Sequence, residues 1–360
     1  MTIPVFRPYY DEREEAAVIE VLRSGWIGLG PKTEEFEERF ARRVGARYAV
    51  ALNSATAALH IALKLVGIGP GDEVLVPTMT FVSTAMVANY ENAVPVFCDV
   101  RADTLSIDIV DALLRKTLQT RAAIPVLYAG KPIEPLDLGV PAIYDCAHAV
   151  GSRWDASGKL CCWSFHAVKN LATGDGGMLT TDDEEEYRRA QRLRWLGIDK
   201  STWDRAGVAQ RYWWEYKIDE VGFKYHLNDI AAALGLAQLE KLDEMQDIRR
   251  RLVKQYLEEL SDVPGVETPE WDEDSSWHMF VVRLEHRDAL ALWLQEQGIS
   301  TGVHYKPIHL YPLYNKYSLP VAEREWPRLL TLPLFPALTS DQVSHVCEKV
   351  REGLQLVGSR

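Results

Sequence analysis

One lysine, Lys169, lies in the run Trp163–Thr181, WSFHAVKNLATGDGGMLTT, whose composition could give an amine chemical work. Trp163 to His166 has β-character. Gly174, Gly176 and Gly177 follow, with Asp175 among them, and Met178 to Thr181 reads as a returning strand. Glycines between two short strands permit backbone angles that side chains forbid, so a lysine there sits on a fixed platform. Taken alone, the same run also describes a solvated lysine beside a β-turn. A second candidate is Asn53-Ser54-Ala55-Thr56, fed by the strand Tyr48–Leu52 and followed at once by an apolar helix that closes near Gly67. Small hydroxyl residues at a helix N-terminus make an anion site, because unpaired N–H groups and the helix dipole converge there. Plain N-capping by Ser54 or Thr56 uses the same residues. The third is Asp145, directly after the apolar run Ala142-Ile143-Tyr144 and so at the carboxyl end of a strand, where open α/β sheets bind ligands. It could equally cap Cys146–Val150, with His148 a satisfied turn histidine.

These residues need a scaffold, and the rest of the pattern supplies one. After a helix capped near Thr33, with Phe36, Phe40 and Val44 on one face, strands and helices alternate. The strands are read at Glu73–Val76, Val94–Asp99, Ala123–Tyr128 and Ala142–Tyr144, the helices at Phe81–Tyr90 and Ile109–Leu118. That rhythm predicts a mostly parallel sheet covered by helices. The arginine face of the helix opening at Asp182 reads as solvated. An insertion with Trp203, Tyr212, Trp213, Trp214 and Tyr216 precedes one long helix, capped by Asn228 or Asp229 and continuing to Leu260. The pattern then restarts, with strands at Met279–Leu284 and Ile299–Tyr305 and helices at Asp288–Gln297 and Ser340–Leu356. The expected division is a large α/β domain over residues 1–245 and a smaller C-terminal α/β domain over 246–360.

Composition narrows the function classes. The 360 residues are 47% hydrophobic, enough for a large core. Forty basic against fifty-two acidic residues give a formal charge of −12, which argues against general nucleic-acid or anionic-membrane binding. No apolar run reaches a membrane span, and the first residues lack the pattern of a signal peptide, so a cytoplasmic protein is expected. Five cysteines without paired CxxC motifs indicate free thiols and no metal site, with Cys161-Cys162 read as packing.

A phosphate cradle, an aspartate and a lysine, in that order, are what pyridoxal phosphate (PLP) requires. The aldehyde needs an amine, the pyridine nitrogen a carboxylate, and the phosphate a set of N–H donors. A nicotinamide enzyme is disfavoured, since no GxGxxG follows a strand and opens a helix. Over nearly its whole length the chain resembles the sugar-nucleotide aminotransferases of the DegT/DnrJ/EryC1/StrS family. The resemblance rests on SGWIGLGPKTEEFE, NSATAALHIAL, GPGDEVLVPTMTFVSTA, PVFCDV, IYDCAHAVGS, SFHAVKNLATGDGG, GFKYHLNDIAAALGLAQL and GVHYKPIHLYPLY.

The resemblance implies a fold-type I, aspartate aminotransferase-like PLP enzyme. In it Lys169 forms the internal aldimine and Asp145 pairs with the pyridine nitrogen. His148 lies beside the ring and Phe81 stacks on it. Backbone at Ala55 and Thr56, with the Ser164 hydroxyl, would hold the phosphate, and Lys224 or Asn228 would reach it from the second subunit of a homodimer. His304 and Tyr305 match a motif near the substrate pocket. The implied reaction moves an amino group from an amino acid, L-glutamate by family expectation, through pyridoxamine phosphate (PMP) to a nucleotide-linked keto-deoxysugar, with C4 favoured over C3. Sugar dehydratases of the same family carry histidine where Lys169 stands. A PLP-free sensor on this fold is the alternative from another class, and it would be colourless. Two stretches depart from the family pattern. Gly130–Val140 is short, implying a lost connecting helix, and the segment after Gly151 is unusual.

Overall fold

Alternating apolar residues build the centre of the molecule. The computed structural model describes residues 2–199 and 215–357. Trp203, Tyr212, Trp213 and Trp214 of the aromatic insertion lie outside them. The main strands are β1 (Tyr48–Leu52), β2 (Glu73–Pro77), β3 (Val94–Cys98), β4 (Thr120–Ala123), β5 (Ile143–Asp145), β6 (Leu160–Ser164) and β7 (Gly177–Thr181). They pair as β1-β7-β6-β5 and β3-β2-β4. Parallel bridges from Ala123 to Ala142 and from Val126 to Asp145 join the two groups. Only β7 runs against its neighbours, so the sheet is mostly parallel and mixed, as expected.

Period-two alternation sends successive residues into two helix-covered layers. Val50, Leu52 and Cys162 pack in one layer, and Ala49, Ala51, Cys161 and Trp163 in the other. The adjacent cysteines therefore face opposite cores, and all five thiols are free and buried. A third core joins Ile3 to residues from Leu252 to Val350, including Tyr256, Phe280 and Leu290.

Four expectations are corrected. The helix beginning at Pro31 is capped by Asp229, not by its own Thr33. The Asp229 carboxylate accepts from the backbone N–H groups of Gly30 (3.0 Å), Lys32 (3.2 Å) and Thr33 (3.0 Å) and from Thr33 Oγ1 (2.7 Å). A cap supplied from about two hundred positions away leaves no local signal. The long helix is two, Asp229–Glu240 and Leu242–Glu259, parted at Lys241, whose side chain turns inward to Glu14 (2.8 Å) and Asp11 (3.1 Å). No strand forms over 299–305. Ile299 and Gly302 make single bridges to different neighbours, and the His304 ring folds back over Gly302, where a Cβ would lie 2.6 Å from Cε1. The partner of β8 (Phe280–Arg283) is instead β9 (Leu329–Leu332), which periodicity did not mark. No α-helix forms in the Gly130–Val140 stretch, which begins at the end of a short 3-10 turn, Tyr128–Gly130. Ala129 (φ 56°) and Gly130 (φ 88°) turn the chain at its start.

Candidate active site

Register alone brings distant segments together at the carboxyl edge of the sheet. Leu52 pairs with Gly177, Gly177 pairs with Ser164, and Asp145 pairs with Cys162. Strands lie about 4.8 Å apart, so Leu52 and Ser164 are separated by about 10 Å with only Gly177 between them. A Cβ on Gly177 would lie 2.3 Å from the Ser54 carbonyl carbon and 2.5 Å from Ala55 N, so only glycine lets this strand touch the turn. Ser54 caps the Ala55–Leu65 helix, its Oγ accepting from Ala57 N–H at 3.1 Å. The N–H groups of Ala55 and Thr56 precede any intrahelical partner and face the same edge.

Lys169 follows Ser164 on a turn closed by its own N–H to the His166 carbonyl at 2.8 Å. Thr173 N–H returns to the Phe165 carbonyl (2.8 Å), and Gly174 takes φ +89°, an angle that favours glycine. The next residue, Asn170, is buried, and its Nδ2 donates to the carbonyls of Ser276 (2.9 Å) and Val150 (3.3 Å). This ties the lysine turn to the chain's later half. Burial pushes the Lys169 ammonium down to about 8, with Asp145 pulling weakly the other way through space.

Asp145 is 4% exposed. Its Oδ2 accepts from Thr84 Oγ1 at 2.8 Å and its Oδ1 from Ala147 N–H at 3.1 Å. Thr84 has one hydroxyl proton and gives it to the carboxylate, so Thr80, 2.9 Å away, donates to Thr84. Burial raises the Asp145 carboxyl, and the two hydrogen bonds and Lys169 only partly offset that. A carboxylate offers about four acceptor positions, so it keeps capacity for a further donor.

Three histidines complete the wall. His148 Nδ1 accepts from Ala129 N–H (3.3 Å), which places its proton on Nε2. That Nε2–H donates to the Tyr305 hydroxyl oxygen at 3.0 Å, leaving the phenol proton free for another acceptor. His278 Nδ1 donates to Asn170 Oδ1 (3.2 Å), and His304 Nδ1 lies 2.8 Å from Thr331 Oγ1. Burial, followed by the charge of Lys169, holds all three neutral: His148 and His278 far below the usual imidazole range, His304 down to about 4. Burial likewise raises the Tyr305 phenol. The rings form a column, Phe6 on His278 (5.3 Å), His278 on His148 (4.6 Å) and His148 against Tyr305 (6.0 Å).

The structure thus gathers Ala55, Thr56, Asp145, His148, Ser164, Lys169, His304 and Tyr305 around one edge. Phe81 stands at the mouth, 58% exposed, its ring 6.3 Å from that of Tyr305. Lys224 and Asn228 stand apart. Lys224 is exposed, with Nζ 3.3 Å above the Trp195 ring, and the Asn228 Oδ1 is engaged in capping its own helix through Ala231 N–H (2.9 Å). The chain between them runs beside β1, where Tyr225 accepts from Asn53 N–H at 2.7 Å. Thr80, Thr84, Asn170 and His278 escaped the sequence reading. The four-residue spacing of Thr80 and Thr84 just after a strand was a usable signal; His278 had none.

A family model described as the DegT/DnrJ/EryC1/StrS aminotransferase family matches residues 8–351. The spore coat polysaccharide biosynthesis protein SpsC of Bacillus subtilis (strain 168) is 38% identical, covering 97% of this chain and 96% of its own. The aminotransferase TlmJ of Streptoalloteichus hindustanus superposes with a TM-score of 0.90 at 36% identity, covering 99% of this chain and all of its own. The putative sugar aminotransferase Spr1654 of Streptococcus pneumoniae, in its PMP form, gives 0.92 at 31% identity over 99% of this chain and 100% of its own; a PLP form is also known. A match over nearly the whole chain, on a mixed α/β fold of the fold-type I kind, makes this protein a member of the DegT/DnrJ/EryC1/StrS aminotransferase family.

Proposed function

We propose that this chain is a PLP-dependent sugar aminotransferase that takes an amino group from an amino acid, L-glutamate by family resemblance, and delivers it to a nucleotide-linked keto-deoxysugar at C4. One observation carries the reading. A lysine of depressed pKa lies in the field of a buried carboxylate with acceptor capacity to spare, at the sheet edge where a helix presents free N–H groups. These residues fit PLP. Asp145, raised by burial, is stabilised by a cationic N–H such as a protonated pyridine nitrogen. The Ala55 and Thr56 N–H groups suit a phosphate, with Ser164 in reach across Gly177. Bound there, PLP supplies an electron sink for a carbanion at the substrate carbon.

The chain's own residues do the rest. An amine with a pKa near 8 keeps a usable neutral fraction at physiological pH, where an ordinary lysine keeps almost none, so Lys169 can act as nucleophile and move a proton on the substrate carbon. Thr84 and Ala147 aim the Asp145 carboxylate. His148, acting as donor to Tyr305, turns the free phenol proton toward the site. A phosphate carries about two negative charges and one helix terminus about half a positive one, so a further cationic or strongly donating group is required. The partner subunit's Lys224 or Asn228 fills that role in a homodimer with shared sites.

Protein purified with PLP should be yellow, and borohydride should fix the cofactor on the Lys169 peptide. L-glutamate should convert the spectrum to that of the pyridoxamine form, and a nucleotide-linked 4-keto sugar should reverse it. Cofactor on another lysine, or indifference to every amino acid, overturns the reading. Mixing Lys169→Ala and Lys224→Glu chains should restore activity through the one intact site of the heterodimer, and a fully active monomer would exclude the shared site.

A further inference from the structure

The Ala55–Leu65 helix carries a second polar device beyond its N-terminus. His60 lies about 7.5 Å along the axis from Ala55, is 4% exposed, and has both ring nitrogens engaged. Nε2 is 2.7 Å from Glu91 Oε1, and Nδ1 is 3.2 Å from the Tyr225 hydroxyl. A carboxylate only accepts, so it sets the ring proton on Nε2, and Nδ1 of that tautomer accepts from the phenol. Glu91 is itself fixed by Lys64 Nζ at 2.9 Å.

The His60 ring also packs 4.6 Å from that of Phe223, which stacks on Tyr225 at 4.9 Å. It therefore holds the residues on either side of Lys224. Bridges from Lys224 to Trp195 and from His226 to Leu52 mark this segment as extended chain, and the N–H groups of Phe223 and Tyr225 donate to the carbonyls of Leu193 (2.6 Å) and Arg194 (3.0 Å). Alternate side chains of such a chain leave opposite faces, so Phe223 and Tyr225 turn inward, half-buried, and Lys224 turns out, exposed. The backbone could pair equally well after a slip of one residue, with Lys224 turned inward, so the side chains decide the register. A buried Glu–His–Tyr chain loses hydration that an apolar residue at position 60 would not, and what it adds is a single orientation of the Tyr225 ring.

We propose that His60, oriented by Glu91, is a positioning residue for the cofactor site of the partner subunit: by holding Phe223 and Tyr225 inward it aims Lys224 outward across the interface. The inference rests on the shared homodimer site proposed above, with Lys224 as the crossing group. One helix then serves two sites. Its N–H groups face the chain's own phosphate position, and its His60 sets the arm that completes the partner's.

The test uses heterodimers of differently tagged chains, one carrying Lys169→Ala, so that borohydride can fix PLP at one site only. Occupancy of the remaining Lys169 is read against PLP concentration, beside turnover. His60→Phe keeps a ring and removes both hydrogen bonds. On the Lys169→Ala chain, whose Lys224 completes the working site, it should raise the half-occupancy concentration about tenfold, against less than about twofold on the other chain. A role confined to the helix that carries His60 would give the opposite order, because that helix belongs to the working site only in the second arrangement. Tyr225→Phe, a milder change, should show the same asymmetry and carries the comparison if His60→Phe does not fold. His60→Gln, whose amide can still donate to Glu91 and accept from Tyr225, should recover part of the loss. A loss that follows the Lys169-intact chain, is equal in both arrangements or is absent from both overturns the proposal. The shared site is judged separately by mixing Lys169→Ala and Lys224→Glu chains. An inactive mixture sinks the shared site and this inference with it; an active one leaves the His60 comparison to decide this inference alone.

Discussion

Lys241 and Lys169 both lie near buried carboxylates, and they differ in kind. Lys241 is fully buried and held by Glu14 at 2.8 Å and Asp11 at 3.1 Å. Lys169 is less enclosed by surface, yet Asp145 reaches it only through space, without a hydrogen bond, and its ammonium falls to about 8. The contrast lies in the contact partner. What matters is burial without a contact partner, which penalises the charged form and leaves the amine available. A contact pair in the same protein serves structure instead, where it joins the N-terminal helix to the break between two later helices.

The contrast can be broken from either side. Lys169→Ala should lower turnover at least about a thousandfold while leaving the urea midpoint near wild type, because no ion pair is lost. Lys241→Met should do the reverse. It leaves Glu14, which is 2% exposed, without its cationic partner and should cost about 3–5 kcal/mol in urea unfolding, with turnover per folded molecule retained. Asp145→Asn should reduce turnover about 100- to 1000-fold with little loss of PLP affinity, since a stabilised carbanion exists only along the reaction path. Thr84→Val removes one donor to that carboxylate and should cost about tenfold in turnover, read as kcat with KM little changed.

The smallest effect is the sharpest. The neutral amine attacks the aldehyde, so PLP uptake by apo-protein should quicken as pH rises through about 8, against 10.5 for an ordinary lysine. Asp145 raises the Lys169 pKa, so Asp145→Asn should move that midpoint further down. A midpoint that stays put would mean the two groups do not sense each other.

Much of the site was legible because it sits where strands end. Asp145 and Ser164 close strands, Ala55 opens a helix, and Lys169 stands on a glycine-bounded turn; all are short-range features. Likewise the mostly parallel sheet followed from alternation. Long-range contacts explain what was missed. Asp229 caps a helix about two hundred residues earlier, and His278 stacks on His148 from a segment with no distinguishing pattern. The break at Lys241 was invisible because the helical apolar stripe runs straight through it, and only the carboxylates of a distant helix pull the side chain inward.

The pairing of Leu52 with Gly177 and of Gly177 with Ser164 has a consequence for how the protein is made. The Ala55–Leu65 helix leaves the ribosome more than a hundred residues before β7, the strand that seats its N-terminus. At synthesis rates of about 5–20 residues per second, the Ser54–Ala55 corner of the candidate site waits roughly 5–25 s for the strand that seats it. His278 and Tyr305 arrive later still. The candidate site is therefore complete only once these residues have been made, and a ligand that needs all of it binds after them. A non-local assembly of this kind leaves the Lys169 turn without the contacts that Asn170 makes to Ser276 and His278 until those residues are made.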